Sequence, residues 1–147
     1  MRKSDRKLVV LFLDSEDNLR SAIGRLLAAD RPDIDPIFVA DGNQAMDAIR
    51  GIHAEQRQLD LLVTDYAHPP GPDGAELVRW IRNLPDDYYM RGGRRIKNLP
   101  IVVQSGNRSA GKVKDVSSDV VVLWKPYKFE ALMNAIDLAV PFVANSR

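Results

Sequence analysis

The chain has 147 residues, no cysteine and a net charge of +1, and 45% of its residues are apolar and 28% charged. This composition excludes a disordered or low-complexity protein, a disulfide-stabilised scaffold and a metal site built from thiolates. No apolar run approaches the roughly 20 residues of a membrane helix, and the run after the charged N-terminus is too short for a signal peptide, so we expect one cytoplasmic domain, residues 1–147, with no membrane contact.

Five short apolar runs recur along the chain, and they are rich in valine, isoleucine and leucine. They are mostly continuous rather than alternating, which is typical of strands that are buried on both faces of a sheet. The predicted strands are residues 8–13, 37–40, 59–64, 101–104 and 120–124.

An amphipathic segment with apolar residues at helical spacing follows each predicted strand. Residues that favour helix starts precede these segments, namely Asp17, Asp41, Asp73 and Pro126. The segment 109–116 is the weakest candidate, because it has few apolar positions. Strand and helix repeated five times predict a doubly wound α/β domain, a five-stranded parallel sheet with helices on both faces.

Polar side chains stand where the predicted strands end, and ligand sites of such sheets lie at the carboxyl ends of the strands. These side chains are Asp14, Ser15, Glu16 and Asp17 after the first strand, Asp65 after the third, Ser105 after the fourth and Lys125 at the end of the fifth. Carboxylates bind Mg²⁺ and can accept a phosphoryl group, while lysine and hydroxyl groups neutralise or hydrogen-bond phosphoryl oxygens. Any one of these residues alone would be read as a helix cap or loop residue. The set together favours phosphoryl-transfer chemistry.

The sequence resembles the receiver domain of two-component response regulators over residues 8 to about 143. The resemblance is carried by the apolar strand that ends at Asp14, by Asp65 with Pro69 and Asp73-Gly74 after it, by Ser105, and by Lys125-Pro126-Tyr127; Asp41-Gly42 before the second helix also fits. It implies a flavodoxin-like topology.

The resemblance also implies a role for each matching residue. Asp65 would accept the phosphoryl group, Asp14 and the backbone carbonyl of Ala67 would hold Mg²⁺ with it, Lys125 would pair with the phosphoryl group, and Ser105 would be the hydroxyl switch. The donor would be a phosphohistidine on a histidine kinase or histidine phosphotransfer protein. The residues leave no room for an effector domain, so either the signal would pass by contact to an unknown downstream protein or the chain is a fragment of something longer. A homodimer is a further expectation.

Two positions depart from the receiver pattern. Ser15 stands where receivers usually have a second acidic metal ligand, so we expect weaker Mg²⁺ binding, for which Glu16 and Asp17 are candidate compensations. Val122 stands where receivers usually have an aromatic switch residue, and Trp124 lies on the opposite face of that strand from Lys125.

Two alternative functions follow from these departures and from the opening motif. One is a receiver-like protein-binding module that is not phosphorylated. The other is a phosphatase of the haloacid dehalogenase type, which also begins with an apolar strand into an aspartate. The phosphatase hypothesis leaves Asp65 without a role.

Three weaker signals were weighed. Residues 106–112 are similar to a phosphate-binding loop by chance, since Val113 stands where Ser or Thr should bind Mg²⁺. His68 is interpreted as a solvated loop residue rather than a metal ligand. The long segment 85–99 has four basic side chains between residues 91 and 97. We interpret it as a solvated, mobile loop; a docking arm for an acidic partner is the alternative, and nucleic acid is not an expected partner.

Overall fold

The computed structural model describes residues 7–67, 71–106 and 108–140 of the chain. The interpretations that concern His68 and Pro69 fall outside the described residues, and so do the basic side chains of residues 1–6.

The described strands form one parallel sheet in the order β2-β1-β3-β4-β5. They are β1 (Leu8–Leu13), β2 (Ile34–Val39), β3 (Leu61–Asp65), β4 (Ile101–Ser105) and β5 (Val121–Trp124). The predicted doubly wound α/β fold is confirmed. The second strand starts earlier than predicted because it includes Pro36, which an edge strand tolerates.

The helices are α1 (Asp17–Asp30), α2 (Gly42–Glu55), α3 (Gly74–Arg82), α4 (Val113–Val116) and α5 (Phe129–Ala139). The segment with the weakest helical pattern divides into a 3₁₀ helix, Arg108–Lys112, and the single turn of α4. Among the described residues, no helix has the length and apolar character needed to cross a membrane.

Side-chain alternation along the strands creates two separate core layers. Leu11, Leu62 and Val103 pack with α2, α3 and α4 on one face of the sheet. Phe12 and Val63 pack with α1 and α5 on the other face. The face on which a strand residue lies therefore decides which helices its side chain meets, and this rule extends to the polar residues at the strand ends.

The segment 85–99 is a packed part of the domain. Met90, Ile96 and Leu99 are buried in the core layer of α2 and α3. The ring of Tyr88 stacks on His53 of α2 with ring centroids 3.8 Å apart. The prediction of a solvated, mobile loop is therefore wrong, because three apolar side chains in the segment anchor it to the core.

One of the arginines in this segment neutralises a buried carboxylate at the start of β3. Arg94 Nη2 lies 2.9 Å from Asp60 Oδ1, and Asp60 is fully buried. The other carboxylate oxygen accepts hydrogen bonds from the Val9 backbone N–H at 2.8 Å and from Gln58 Nε2 at 2.6 Å. Arg95 instead lies 3.8 Å from the exposed Asp86. Part of the basic cluster is thus a structural anchor.

We predict that Arg94→Ala lowers the free energy of unfolding by about 2–3 kcal/mol, because it leaves the buried Asp60 carboxylate without its cation. Arg95→Ala is the matched control, and its loss should stay below about 0.5 kcal/mol because its ion pair is exposed. Denaturant unfolding of both variants measures the difference. Equal losses for the two arginines would contradict the anchoring role of Arg94.

Candidate functional site

The strand register gathers four polar side chains at one edge of the sheet, on the face of α1 and α5. Asp65 pairs with Gln104, and the residues before Asp14 and Asp65, Leu13 and Thr64, are themselves paired. Lys125 follows β5 directly and lies on this face by alternation. The parallel register therefore brings the residues predicted from strands 1, 3 and 5 to one place.

Asp65 is the centre of this cluster. It is the last residue of β3, and its side chain is only 8% exposed. Its Oδ1 accepts hydrogen bonds from Lys125 Nζ at 3.1 Å and from Gln104 Nε2 at 2.9 Å. The predicted convergence of Asp65 and Lys125 at one edge of the sheet is present in the structure.

Asp14 lies beside Asp65 and shares the same two donors. Its Oδ2 is 3.3 Å from Gln104 Nε2 and 3.8 Å from Lys125 Nζ. Its Oδ1 accepts the Glu16 backbone N–H at 2.9 Å, which orients the carboxylate at the start of α1. Asp14 is buried like Asp65. Two carboxylates therefore share one lysine and one amide.

This environment acts on the ionisation of Asp65. Burial, followed by the negative charge of Asp14, raises the pKa of Asp65 above its ordinary value. Lys125 and the Gln104 amide act in the opposite direction but do not cancel the rise. Keeping both carboxylates ionised therefore lowers the stability of the folded protein, and an additional positive charge beside them would restore it.

The residues present fit a divalent cation. Mg²⁺ in proteins commonly uses one or two carboxylates, with water and phosphate oxygens completing its shell, and Asp14 and Asp65 converge in that way. In the described residues no third His, Cys, Asp or Glu side chain joins them to form a larger cluster. Ser15, Glu16 and Ala67 are exposed residues next to the pair, and their roles as ligands stay predictions.

The two predicted switch positions lie on the other face of the sheet. Ser105 is buried at the end of β4, and its register partner is Trp124. Trp124 shares a strand face with Val122, which packs into the core layer of α2 and α3, and 46% of the tryptophan is exposed. The aromatic ring is therefore present on the expected face, two residues further along β5.

Comparison with known proteins was made at the levels of sequence and structure. No family model and no curated protein matches the sequence. Solved structures do match. The signal receiver domain of an HD domain-containing protein from Pseudomonas fluorescens Pf-5 superimposes with a TM-score of 0.72, at 17% identity, over 95% of this chain and 99% of that one. This chain has the receiver fold.

Two further solved structures agree with this assignment. The chemotaxis response regulator CheY4 of Vibrio cholerae has a TM-score of 0.68 at 22% identity, over 90% of this chain and 98% of that one. The receiver domain of the hybrid histidine kinase CckA has a TM-score of 0.62 at 24% identity, over 90% of this chain and 98% of that one. The flavodoxin-like topology expected from the sequence is confirmed.

Sequence reasoning missed two residues of the receiver site, Gln104 and Tyr127. Gln104 was read only as the end of a strand, and Tyr127 only as part of the motif after Lys125. The Tyr127 hydroxyl donates to Gln104 Oε1, and burial raises the pKa of Tyr127, which keeps this hydroxyl protonated. The signal was available, since Gln104 shares its strand face with the buried Val102 and is itself a polar residue in an apolar strand.

The backbone of Asp65 is fixed by a close approach of α3. The Gly74 N–H donates to the carbonyl of Tyr66 at 2.6 Å. A Cβ at Gly74 would lie 2.9 Å from the carbonyl oxygen of Asp65 and from Tyr66 Cα, closer than side chains normally come. The Asp73-Gly74 pair thus caps α3 and lets the helix start against the backbone of Asp65.

We predict that Asp65→Asn raises Tm by a few degrees at pH 7.5 in EDTA, and that the gain shrinks as the pH falls toward 4. A pKa raised in the folded state means that the ionised carboxylate costs stability above that pKa, and the cost is absent once the group is protonated in both states. Differential scanning calorimetry measures the effect, with the exposed Asp47→Asn as a control that should change Tm little at either pH. A lower Tm for Asp65→Asn at pH 7.5 would contradict the assignment.

We predict that Gly74→Ala costs about 1–3 kcal/mol of unfolding free energy, because α3 must move away from the acceptor backbone. Gly51→Ala in the middle of α2 is the control. Only a flexible glutamate oxygen, 3.8 Å away, lies near its added carbon, so a gain of about 0.5–1 kcal/mol is expected. Urea unfolding distinguishes the two, and the close approach is refuted if both variants are stabilised.

Proposed function

We propose that this chain is a phospho-acceptor receiver of a two-component phosphorelay, with Asp65 as the residue that is phosphorylated. The observation that carries the proposal is the buried Asp65 carboxylate at the end of β3, 3.1 Å from Lys125 Nζ and beside Asp14. The similarity to receiver structures supports it.

The proposed step moves one phosphoryl group. A carboxylate oxygen of Asp65 attacks the phosphorus of a phosphohistidine, an O–P bond forms, the N–P bond breaks, and the imidazole nitrogen keeps the electron pair. Lys125 neutralises charge on the phosphoryl oxygens, and Ser105 donates a hydrogen bond to one of them in the phosphorylated form. Asp14, Asp65 and the Ala67 carbonyl would hold Mg²⁺, which would supply further charge neutralisation. Water later hydrolyses the acyl phosphate.

The donor and the recipient of the signal are proposed to be proteins. A groove of about 560 Å³ between α1 and α5 opens beside Lys125, and its walls are largely apolar, with Leu19, Leu26 and Phe129 among them. A histidine kinase or histidine phosphotransfer protein would use such a surface to bring its phosphohistidine to Asp65. Phosphorylation then shifts the receiver between two conformers, and a downstream protein in the cytoplasm binds one of them.

We predict that incubation with acetyl phosphate and 10 mM Mg²⁺ adds one phosphoryl group to the chain, seen as a gain of about 80 Da in intact mass. Asp65→Asn should abolish the gain, Lys125→Ala should reduce it at least tenfold, and the exposed Asp47→Asn should leave it unchanged.

Two outcomes would overturn the proposal, and each favours a different alternative. No mass gain at high Mg²⁺ favours the unphosphorylated binding module. Hydrolysis of a phosphate ester that persists in Asp65→Asn and is lost in Asp14→Asn favours the phosphatase.

A further inference from the structure

The amide of Gln104 lies between the two carboxylates of the pocket. Its Nε2 donates to Asp65 Oδ1 at 2.9 Å and to Asp14 Oδ2 at 3.3 Å. Its Oε1 accepts the hydroxyl of Tyr127. Both ends of the amide are therefore used, and Gln104 is 2% exposed. The side chain links β4 to β1, β3 and the start of α5.

The orientation of this amide follows from its neighbours. Ionised carboxylates only accept hydrogen bonds, so the group that faces Asp14 and Asp65 must be the –NH₂. A reversed amide would place its oxygen against two negative oxygens. Tyr127 reinforces the correct orientation, because its protonated hydroxyl needs an acceptor and finds Oε1. The Gln104–Tyr127 pair thus holds a hydrogen-bond donor toward the carboxylates.

The position of this donor conflicts with a bridging cation. A Mg²⁺ ion shared by Asp14 and Asp65 needs their oxygens within about 2.1 Å of itself. Asp14 Oδ2 and Asp65 Oδ1 are the two oxygens that already converge on Gln104 Nε2. One site between them cannot hold both the amide nitrogen and a metal ion, so the amide must withdraw, or the carboxylates must turn, before these oxygens bind a cation together.

We propose that Gln104, oriented by Tyr127, is a positioning residue that takes the place of the cation between Asp14 and Asp65 and so sets the Mg²⁺ concentration at which the pocket is loaded. The inference rests on the proposed function in one respect, that Asp14 and Asp65 are the metal ligands. At low Mg²⁺ the amide and Lys125 hold the pair, and at higher Mg²⁺ the ion displaces the amide.

Removal of the Gln104 amide should raise the affinity for Mg²⁺ and lower the stability of the metal-free protein. Gln104→Val removes the competing donor, so the Kd for Mg²⁺ should fall about tenfold, while Tm in EDTA should also fall because the two carboxylates lose a partner. Gln104→Glu should bind Mg²⁺ at least tenfold more tightly, since it adds a carboxylate. Tyr127→Phe removes only the hydroxyl that donates to Gln104 Oε1, so the amide stays in place but is less firmly oriented. We expect the Kd for Mg²⁺ to fall about threefold.

Isothermal titration calorimetry with MgCl₂ alone measures these affinities, and calorimetric Tm values in EDTA measure the metal-free stability. Val102→Ala is the matched control, because Val102 is buried on the same face of β4, two residues before Gln104. It should lower Tm in EDTA and leave the Kd unchanged. If Gln104→Val does not fold, Gln104→Glu and Tyr127→Phe decide the question.

Unchanged or weaker Mg²⁺ binding by the Gln104 and Tyr127 variants would overturn the inference, as would an equal gain in affinity for Val102→Ala. The failure of the proposed function looks different. If the wild-type chain is not phosphorylated at any Mg²⁺ concentration but the Gln104 variants bind Mg²⁺ more tightly, the proposed function is refuted and the role of Gln104 stands. If Asp65 is phosphorylated but the Kd for Mg²⁺ is the same in all the variants, the proposed function stands and the role of Gln104 is refuted.

Discussion

Two carboxylates held side by side and almost fully buried need positive charge or hydrogen-bond donors, and the residues at this end of the sheet supply both. Asp14 and Asp65 are both buried at neighbouring strand ends, where a parallel register leaves them no other direction to face. Lys125 comes from the end of β5, Gln104 from β4, and a backbone N–H from the start of α1. Four separate segments are thus fixed relative to one another by the same pair of charges.

A third buried carboxylate, that of Asp60, lies at the opposite end of β3 and is neutralised in a different way. Asp60, just before the strand begins, is fully buried and receives the guanidinium of Arg94, the Val9 backbone N–H and the Gln58 amide. A guanidinium is always charged and offers a rigid set of donors, so this carboxylate is permanently neutralised. Asp65 has a lysine and an amide instead. Both are weaker and more easily displaced partners than a guanidinium, which suits the proposed role of Asp65 as a phospho-acceptor.

The fold and the position of the candidate site could be predicted from the sequence because both depend on local patterns. Continuous apolar runs mark buried strands, and residues that follow such runs meet at one edge of a parallel sheet, so Asp14, Asp65 and Lys125 were placed correctly. The segment 85–99 was misjudged since its charges conceal Met90, Ile96 and Leu99, whose burial depends on distant parts of the chain. Only the folded chain shows that Arg94 meets Asp60.

The identities of Gln104 and Ser15 both affect the net charge and charge compensation of the pocket. An aspartate or glutamate at position 15 would add a further negative charge beside Asp14 and Asp65, and a neutral amide would then be a poor substitute for a cation. With a serine at that position, Lys125 leaves one negative charge in the pocket uncompensated, and the Gln104 amide, oriented by Tyr127, donates to the same two carboxylate oxygens that Lys125 approaches. The departure from the receiver pattern at position 15 and the polar residue in β4 therefore describe one adjustment. Together they make the pocket more stable without a metal ion than a pocket with three acidic groups would be.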